Sequence, residues 1–264
     1  MTGGHGHTHG LYRPGHSVVH RLPAEVKLAT TIAFVLAVVS TPRTACWAFA
    51  VDAVLVAVAA RLAAVPLGVL FRRLAIEAPF VAFAVFLPLV GQAPHTHALG
   101  LTLSVPGLWA AWNILVKGTL GVAATVLLAS TTSVASLLYG LDRLHAPRAF
   151  TAITGFMIRY GEVIVGEARR MRIARLSRGY DPRWIWQARA MASSAGTLFV
   201  RSFERGERIH VAMVARGFTG SLPEASDTGA SGSAEVGQRR RAWTVALLFP
   251  AVAAAAALTA WIGS

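Results

Sequence analysis

The apolar run Trp243–Ile262 carries no charged side chain and is entered through Arg239, Arg240 and Arg241, a pattern that fits a lipid-embedded helix and little else. About 20 apolar residues cross the hydrocarbon layer as a helix, because a backbone surrounded by lipid must satisfy its own hydrogen bonds. Other stretches approach that length. Leu28–Ser40, short for a crossing unless Val18 and Val19 extend it, turns at Pro42 and Arg43 into Ala45–Ala64, which reads as a helical hairpin. A third span is predicted from Leu74 to Val90, followed by a polar loop with His95 and His97. Leu108–Leu141 is longer than one crossing and is expected to enter as an interfacial turn before it crosses. Arg143, His145 and Arg148 close it, with Pro147 as the helix stop. Ala149–Val165 is a further apolar stretch. Lys27 followed by Leu28–Val39 resembles the start of a secretory leader, but more apolar sequence follows directly, so it reads as a retained anchor.

Composition supports this reading, with 55% hydrophobic and 14% charged residues. The formal charge of +13, from 25 Lys+Arg against 12 Asp+Glu, would suit nucleic acid on a soluble fold, but here it lies between apolar stretches. Cys46 is the single cysteine, which excludes an internal disulfide framework and a cysteine-rich metal site. More than half of the arginines fall between Arg169 and Arg241, and such residues are retained on the cytoplasmic side. Alternation from there puts the N-terminus inside, and the His95/His97 loop and the C-terminus outside.

The expected fold class is an all-α integral membrane protein of five or six transmembrane helices, with a cytoplasmic helical insertion before the last span. Its segments are a His-rich cytoplasmic tail (1–26), transmembrane helices (27–165), cytoplasmic helices (166–220), a flexible linker (221–241) and the last span (242–264). The linker is assigned because Gly220–Gln238 is rich in Gly, Ser, Ala and acids and lacks apolar periodicity.

Within the insertion, Met171, Ala174 and Leu176 alternate with Arg169, Arg172, Arg175 and Arg178, as on an amphipathic helix at a membrane surface or in a partner groove. Gly179 stops it. Asp181 and Pro182 offer a new N-cap and first turn, leading to Trp184 and Trp186. A third helix is expected from Glu204, where Glu204 and Arg208 can pair, through Ile209, Val211 and Met213 to Arg216 and Gly217. Two helices therefore end alike, in Ser177-Arg178-Gly179-Tyr180 and Ala215-Arg216-Gly217-Phe218. Each unit has a small residue for close approach, a planar guanidinium suited to a carboxylate, a glycine able to turn left-handed, and an aromatic to pack. One such unit alone is an ordinary C-cap favourable to the helix dipole. Two in one insertion suit two equivalent acidic-rimmed pockets on a dimeric partner.

In these residues the chain resembles the transmembrane T components of energy-coupling-factor transporters (EcfT), and within them the cobalt-type CbiQ branch. The likeness covers most of the chain. It includes His20-Arg21-Leu22-Pro23 with Lys27-Leu28, Thr131-Thr132, Leu141, Leu144, Pro147, Arg159-Tyr160, and the two Arg-Gly pairs in order. Ala215-Arg216-Gly217 is similar to the family's Ala-Arg-Gly motif unaltered, while Ser177 replaces the usual alanine in Ser177-Arg178-Gly179. The resemblance implies two ABC-type ATPase subunits (CbiO-like), a substrate-binding membrane subunit (CbiM-like), a small accessory subunit (CbiN-like) and membrane lipid as partners, with no nucleic acid. It also implies that Arg178 and Arg216 transmit nucleotide-driven motion, that ATP and Mg sit on the partner ATPases, and that Co2+ or Ni2+ is the cargo. The expected location is the plasma membrane.

No Gly-rich phosphate loop ending in Lys-Ser or Lys-Thr occurs, so the chain is not expected to hydrolyse ATP. His5, His7 and His9, with His16 and His20 after them, form a Gly-spaced cluster able to chelate a divalent ion as an accessory site, or simply a solvated tail. His95 and His97 read as solvated. Lys117 is costly at membrane depth unless it reaches the interface or a protein partner, and snorkelling to the interface is the expected solution. Two other functions compete: a general T subunit serving vitamin-binding partners such as those for biotin, and a scaffold whose basic helices hold anionic lipid. A membrane enzyme is disfavoured because Asp52 and Glu77 stand isolated within the spans.

Overall fold

The computed structural model describes residues 15, 17–66, 68, 75–90, 95–98, 101–180, 188–218 and 233–262. The tail histidines His5, His7 and His9, and the stretch with Asp181, Pro182, Trp184 and Trp186, lie outside them. The chain divides into two compact units, one of Met1–Leu141 with Gly229–Ser264, the other of Asp142–Thr228.

The first unit contains α1 (Val18–Arg21), α2 (Ala24–Ser40), α3 (Cys46–Leu62), a 3-10 turn (Ala75–Glu77) running into α4 (Ala78–Val90), and a hairpin of β1 (His95–Ala98) and β2 (Leu101–Ser104). It continues with α5 (Val105–Thr131) and α6 (Val134–Arg143) and ends with α9 (Ser233–Ile262). α9 packs along α2 and α3, α5 packs on α2, α3 and α4, and α1 touches α3. The interior is built largely from small side chains such as Ala37, Ala60, Ala123, Ala124 and Ala253 around Phe34, Val38 and Phe49. Large ones point outward, among them Leu36, Val54, Phe80, Phe86, Leu248 and Leu258. Small residues inside and large apolar residues outside is the arrangement expected when lipid is the solvent, since helices there gain from close backbone approach rather than from hiding apolar surface. Val105–Thr131 and Ala242–Ile262 are long and apolar enough to cross a membrane, with Ala78–Leu89 a shorter apolar helix.

Several elements differ from expectation for local reasons. Val18 and Val19 do not lengthen α2, because the chain turns extended at Leu22 and Pro23 between α1 and α2. The His95/His97 segment is a strand, paired antiparallel with His95 opposite Ser104 and Ala98 opposite Leu101. The long apolar stretch is a long helix first and breaks afterwards: α5 is continuous to Thr131, Thr132 is extended (φ −138°, ψ 128°), and the short α6 follows. α6 already ends at Arg143, with His145 at φ 63°, so Pro147 begins the next helix rather than stopping one. The last helix starts at Ser233, so 233–241, expected as linker, is helical, while 219–232 lies outside the described residues.

Two glycines in the first unit are fixed by backbone on the other side. A Cβ at Gly107 would lie 2.6 Å from the Leu87 carbonyl oxygen and 2.9 Å from Pro88 Cα, and one at Gly140 would lie 2.7 Å from the Glu25 nitrogen. Here α5 meets α4, and α6 meets the start of α2, with no room for a side chain.

The two lysines of the chain cap helix ends reciprocally. Lys27 on α2 donates from Nζ to the Thr131 carbonyl that ends α5 (3.0 Å) and to the His20 carbonyl (3.2 Å). Lys117 on α5 donates to the Val39 carbonyl near the end of α2 (2.6 Å). Lys117 thus finds a protein partner instead of snorkelling free. With it, each of the last four carbonyls of α2 has a donor: Ala37 from Thr41 Oγ1 (3.0 Å), Val38 from the Thr41 backbone (3.3 Å), Val39 from Lys117, and Ser40 from Trp261 Nε1 (2.9 Å). A helix end leaves such carbonyls open, and lipid supplies no donor. Lys117→Met is therefore expected to lower stability by about 1–3 kcal/mol, the cost of stranding a carbonyl, seen as a lower melting temperature in detergent.

The second unit contains α7 (Arg148–Ser177) and α8 (Ala188–Ala215), which pack against each other. α7 is a single helix, so the apolar stretch Ala149–Val165 and the arginine-rich segment after it are continuous. α8 likewise runs unbroken from Ala188, not from Glu204. Among the described residues the ion pairs are Glu167 with Arg170 (2.6 Å) and with Arg201 (2.8 Å), the latter joining α7 to α8; Glu204 and Arg208 form none.

Candidate functional site: the two helix ends of the second unit

α7 and α8 stop in the same way. At the end of α7 the Tyr180 amide donates to the Arg175 carbonyl (3.1 Å) and the Gly179 amide to the Leu176 carbonyl (2.9 Å). At the end of α8 the Phe218 amide donates to Met213 (3.0 Å) and the Gly217 amide to Val214 (3.0 Å). These crossed bonds are Schellman motifs, and they need a left-handed residue, supplied by Gly179 at φ 76° and Gly217 at φ 81°. The glycines read from the sequence as helix stops take that conformation because only glycine enters it without steric penalty.

The small residue of each unit, Ser177 and Ala215, is the last helical one. Ser177 turns its hydroxyl back onto the Ile173 carbonyl (3.1 Å). Arg178 and Arg216 sit at the capping positions with exposed side chains, and among the described residues neither guanidinium has a hydrogen-bond or ion-pair partner. Beside each arginine stands an exposed aliphatic pair, Ile173 and Leu176 on α7, Val211 and Val214 on α8. Valines that are 66% and 54% exposed on a helix beside an unpaired arginine form a surface with one charge and an apolar flank, which water alone does not favour.

The helical pattern in the sequence picks out Leu176 and Val211 but not Ile173 and Val214, although the signal is present. Aligning the two ends on their glycines extends the match to eight residues, Ile173–Tyr180 against Val211–Phe218. Between the helices lies an apolar cavity of 360 Å³ lined by Phe156, Met157, Tyr160, Ile209 and Met213 among others.

Electrostatics differ along α7. Arg170, and then Arg201, hold the Glu167 carboxyl below the usual carboxylate range. A depressed value means that the link between the helices is present above the unfolded value and lost only as pH falls through the lower folded one. Amide exchange around Glu167 and Arg201 is therefore expected to stay protected as pH falls through the ordinary glutamate value of 4.5 and to rise only below it, with Glu167→Gln abolishing the difference.

No group of three or more His, Cys, Asp or Glu able to hold a metal occurs among the described residues. His20 Nδ1 lies 2.7 Å from Ser17 Oγ. Asp52 and Glu77 are buried, and neither oxygen of Asp52 nor Oε1 of Glu77 has a hydrogen-bond partner among the described residues.

Comparison with known proteins gives the family. A family model described as "CbiQ: Cobalt transport protein" matches residues 15–226, from before α1 to beyond the second Arg-Gly unit. The chain is 33% identical over 106 residues to the "Putative fused cobalt transport protein CbiMQ" of Methanocorpusculum labreanum, covering 39% of this chain and 18% of that protein. It is 26% identical over 230 residues to the "Energy-coupling factor transporter transmembrane protein EcfT" of Bacillus selenitireducens, covering 80% and 83% of the two chains. The protein of the same name from Thermosediminibacter oceani is 24% identical over 226 residues, covering 81% and 84%. A match over most of the length, together with apolar helices fit to cross a bilayer, makes this a membrane protein, and the chain belongs to the CbiQ cobalt transport protein family.

Proposed function

We propose that this chain is the transmembrane coupling subunit of an energy-coupling-factor importer for cobalt or nickel ions, working as a multi-pass protein of the plasma membrane. The observation that carries the proposal is the pair of matched helix ends, each offering an exposed guanidinium that has no ion partner among the described residues, on a rigid Schellman turn. In this reading the second unit faces the cytoplasm, and Arg178 and Arg216 each enter an acidic groove on one of two CbiO-like ATPase subunits. ATP and Mg bind and react there. A CbiM-like membrane subunit, with a small CbiN-like accessory, takes the metal ion, which is cargo and not a resident cofactor of this chain. The tail histidines His5, His7 and His9 serve at most as an accessory chelator.

Helix ends transmit motion only if they bind the open and closed ATPase dimers unequally, since equal affinity shifts no equilibrium. A guanidinium fits this role because its fork fixes both the distance and the plane of a carboxylate. A helix that ends without fraying passes displacement along its axis.

A second reading, a general coupling subunit serving vitamin-binding partners, is favoured by the fuller coverage of the two relatives named energy-coupling factor transporter transmembrane protein. Uptake of radiolabelled cobalt measured against labelled biotin, in cells carrying this chain with its neighbouring genes, separates the two. Cobalt accumulation that depends on this chain supports the metal reading, and biotin accumulation without cobalt uptake overturns it.

A further inference from the structure

The eight-residue match between the two helix ends is not uniform. Ile173 faces Val211, Ala174 faces Ala212, Leu176 faces Val214, and Arg178-Gly179 faces Arg216-Gly217. At three places the α7 end carries the polar member of a pair of similar shape: Ser177 for Ala215, Tyr180 for Phe218, and Arg175 for Met213. Ser177 among these is answered within the chain, by the Ile173 carbonyl. Arg175 is not. Its Nε and Nη1 are enclosed and have no acceptor among the described residues.

The equivalent place on α8 shows what the fold itself requires there. Met213 occupies it half-buried, lines the apolar cavity, and gives its carbonyl to the same Schellman bond that Arg175 gives. An unbranched apolar side chain therefore satisfies both packing and capping. A guanidinium in that place adds a charged group whose enclosed donors find no acceptor among the described residues, and stranding such donors is costly. The arginine side chain is long enough to swing from this stowed position toward the end of α7, where Arg178 stands one turn on.

We propose that Arg175 is a second ionic anchor at the end of α7, pairing with a carboxylate of the partner groove, which the otherwise matching end of α8 lacks. The proposal rests on the coupling reading above and deepens it. The two ends then resemble each other in shape but not in requirement: the α7 end needs a groove with two acceptor positions, and the α8 end needs one acceptor and an apolar wall. The docking of this chain on the ATPase pair acquires a fixed orientation, because exchanging the grooves would leave Arg175 without its carboxylate.

The test is titration of the ATPase dimer that co-purifies with the wild-type chain onto the full-length chain in nanodiscs, at several salt concentrations. Arg175→Met, which copies the α8 end, is expected to weaken binding about tenfold and to flatten its salt dependence, because one charge-assisted contact is lost. Arg175→Lys keeps the cation without the planar fork and is expected to weaken binding about threefold, so the prediction stands even if the methionine variant folds poorly. Wild-type affinity and salt dependence in both variants overturn the proposal. So does unchanged ATPase affinity accompanied by lost binding to vesicles of phosphatidylglycerol, which assigns Arg175 to lipid. Arg178→Ala, run in parallel, separates the two levels: if it weakens binding while the Arg175 variants do not, only the second anchor is wrong; if it too is silent, the coupling reading fails with it.

Discussion

Replacing Arg178 and Arg216 together with alanine is expected to strip the ATPase subunits from this chain and to reduce metal uptake to background. Each guanidinium is exposed and without a partner among the described residues, so its removal leaves no internal bond unmade and little change in stability is expected. A charge-assisted hydrogen bond contributes about 1.5–3 kcal/mol, so the loss of two weakens docking by at least about a hundredfold. The control is Arg169 with Arg172, also exposed on α7 but away from the Schellman turn. A scaffold that merely held anionic lipid would tolerate either double substitution equally. Co-purification and cobalt uptake measured side by side decide the matter: full retention of both in the Arg178/Arg216 variant removes the coupling role, and equal loss in both variants favours general electrostatics.

Gly107→Ala is expected to destabilise the first unit by about 3 kcal/mol, near the upper end of the usual cost of overpacking. The added methyl would meet the Leu87 carbonyl and Pro88 Cα, which are backbone atoms and cannot rotate away, so α4 and α5 must separate. Gly140→Ala behaves similarly against the start of α2. Gly121 lies on the same helix as Gly107, but a Cβ there meets nothing within 4 Å. Gly121→Ala should then be neutral or gain up to about 1 kcal/mol from helix propensity. Thermal unfolding in detergent reads the contrast directly. Equal melting temperatures for the Gly107 and Gly121 variants would show that the close approach of α4 and α5 is not maintained in the membrane.

These two predictions draw on different kinds of information. The Arg-Gly ends were legible in the sequence because a helix C-terminus is a local object. Its hydrogen bonds span five residues, its left-handed position demands glycine, and an arginine at the cap is recognisable by type alone. The apolar spans were legible for a similar reason, since each helix must satisfy its own backbone in lipid. Boundaries were less so. α7 runs through from an apolar to a basic half, because neither half contains a residue that breaks the hydrogen-bond ladder, and a change of composition was mistaken for a change of structure. The break at Thr132 and the early start of α8 were missed because threonine, alanine and arginine permit helix and coil alike.

What only the tertiary structure decided involves partners far apart along the chain. Nothing near Lys27 or Lys117 in sequence indicates that each caps the helix on which the other sits, through the carbonyls of Thr131 and Val39. Nothing near Gly107 foretells the Leu87 carbonyl. The sequence by itself determined the apolar helical character of the chain and the form of the two Arg-Gly helix ends, because these follow from transfer into lipid and from bonds within a turn. The tertiary structure decided which glycines are closed in by distant backbone, where the lysines find acceptors, and that Arg175 is enclosed without an acceptor among the described residues, because such contacts depend on how helices distant in sequence approach one another.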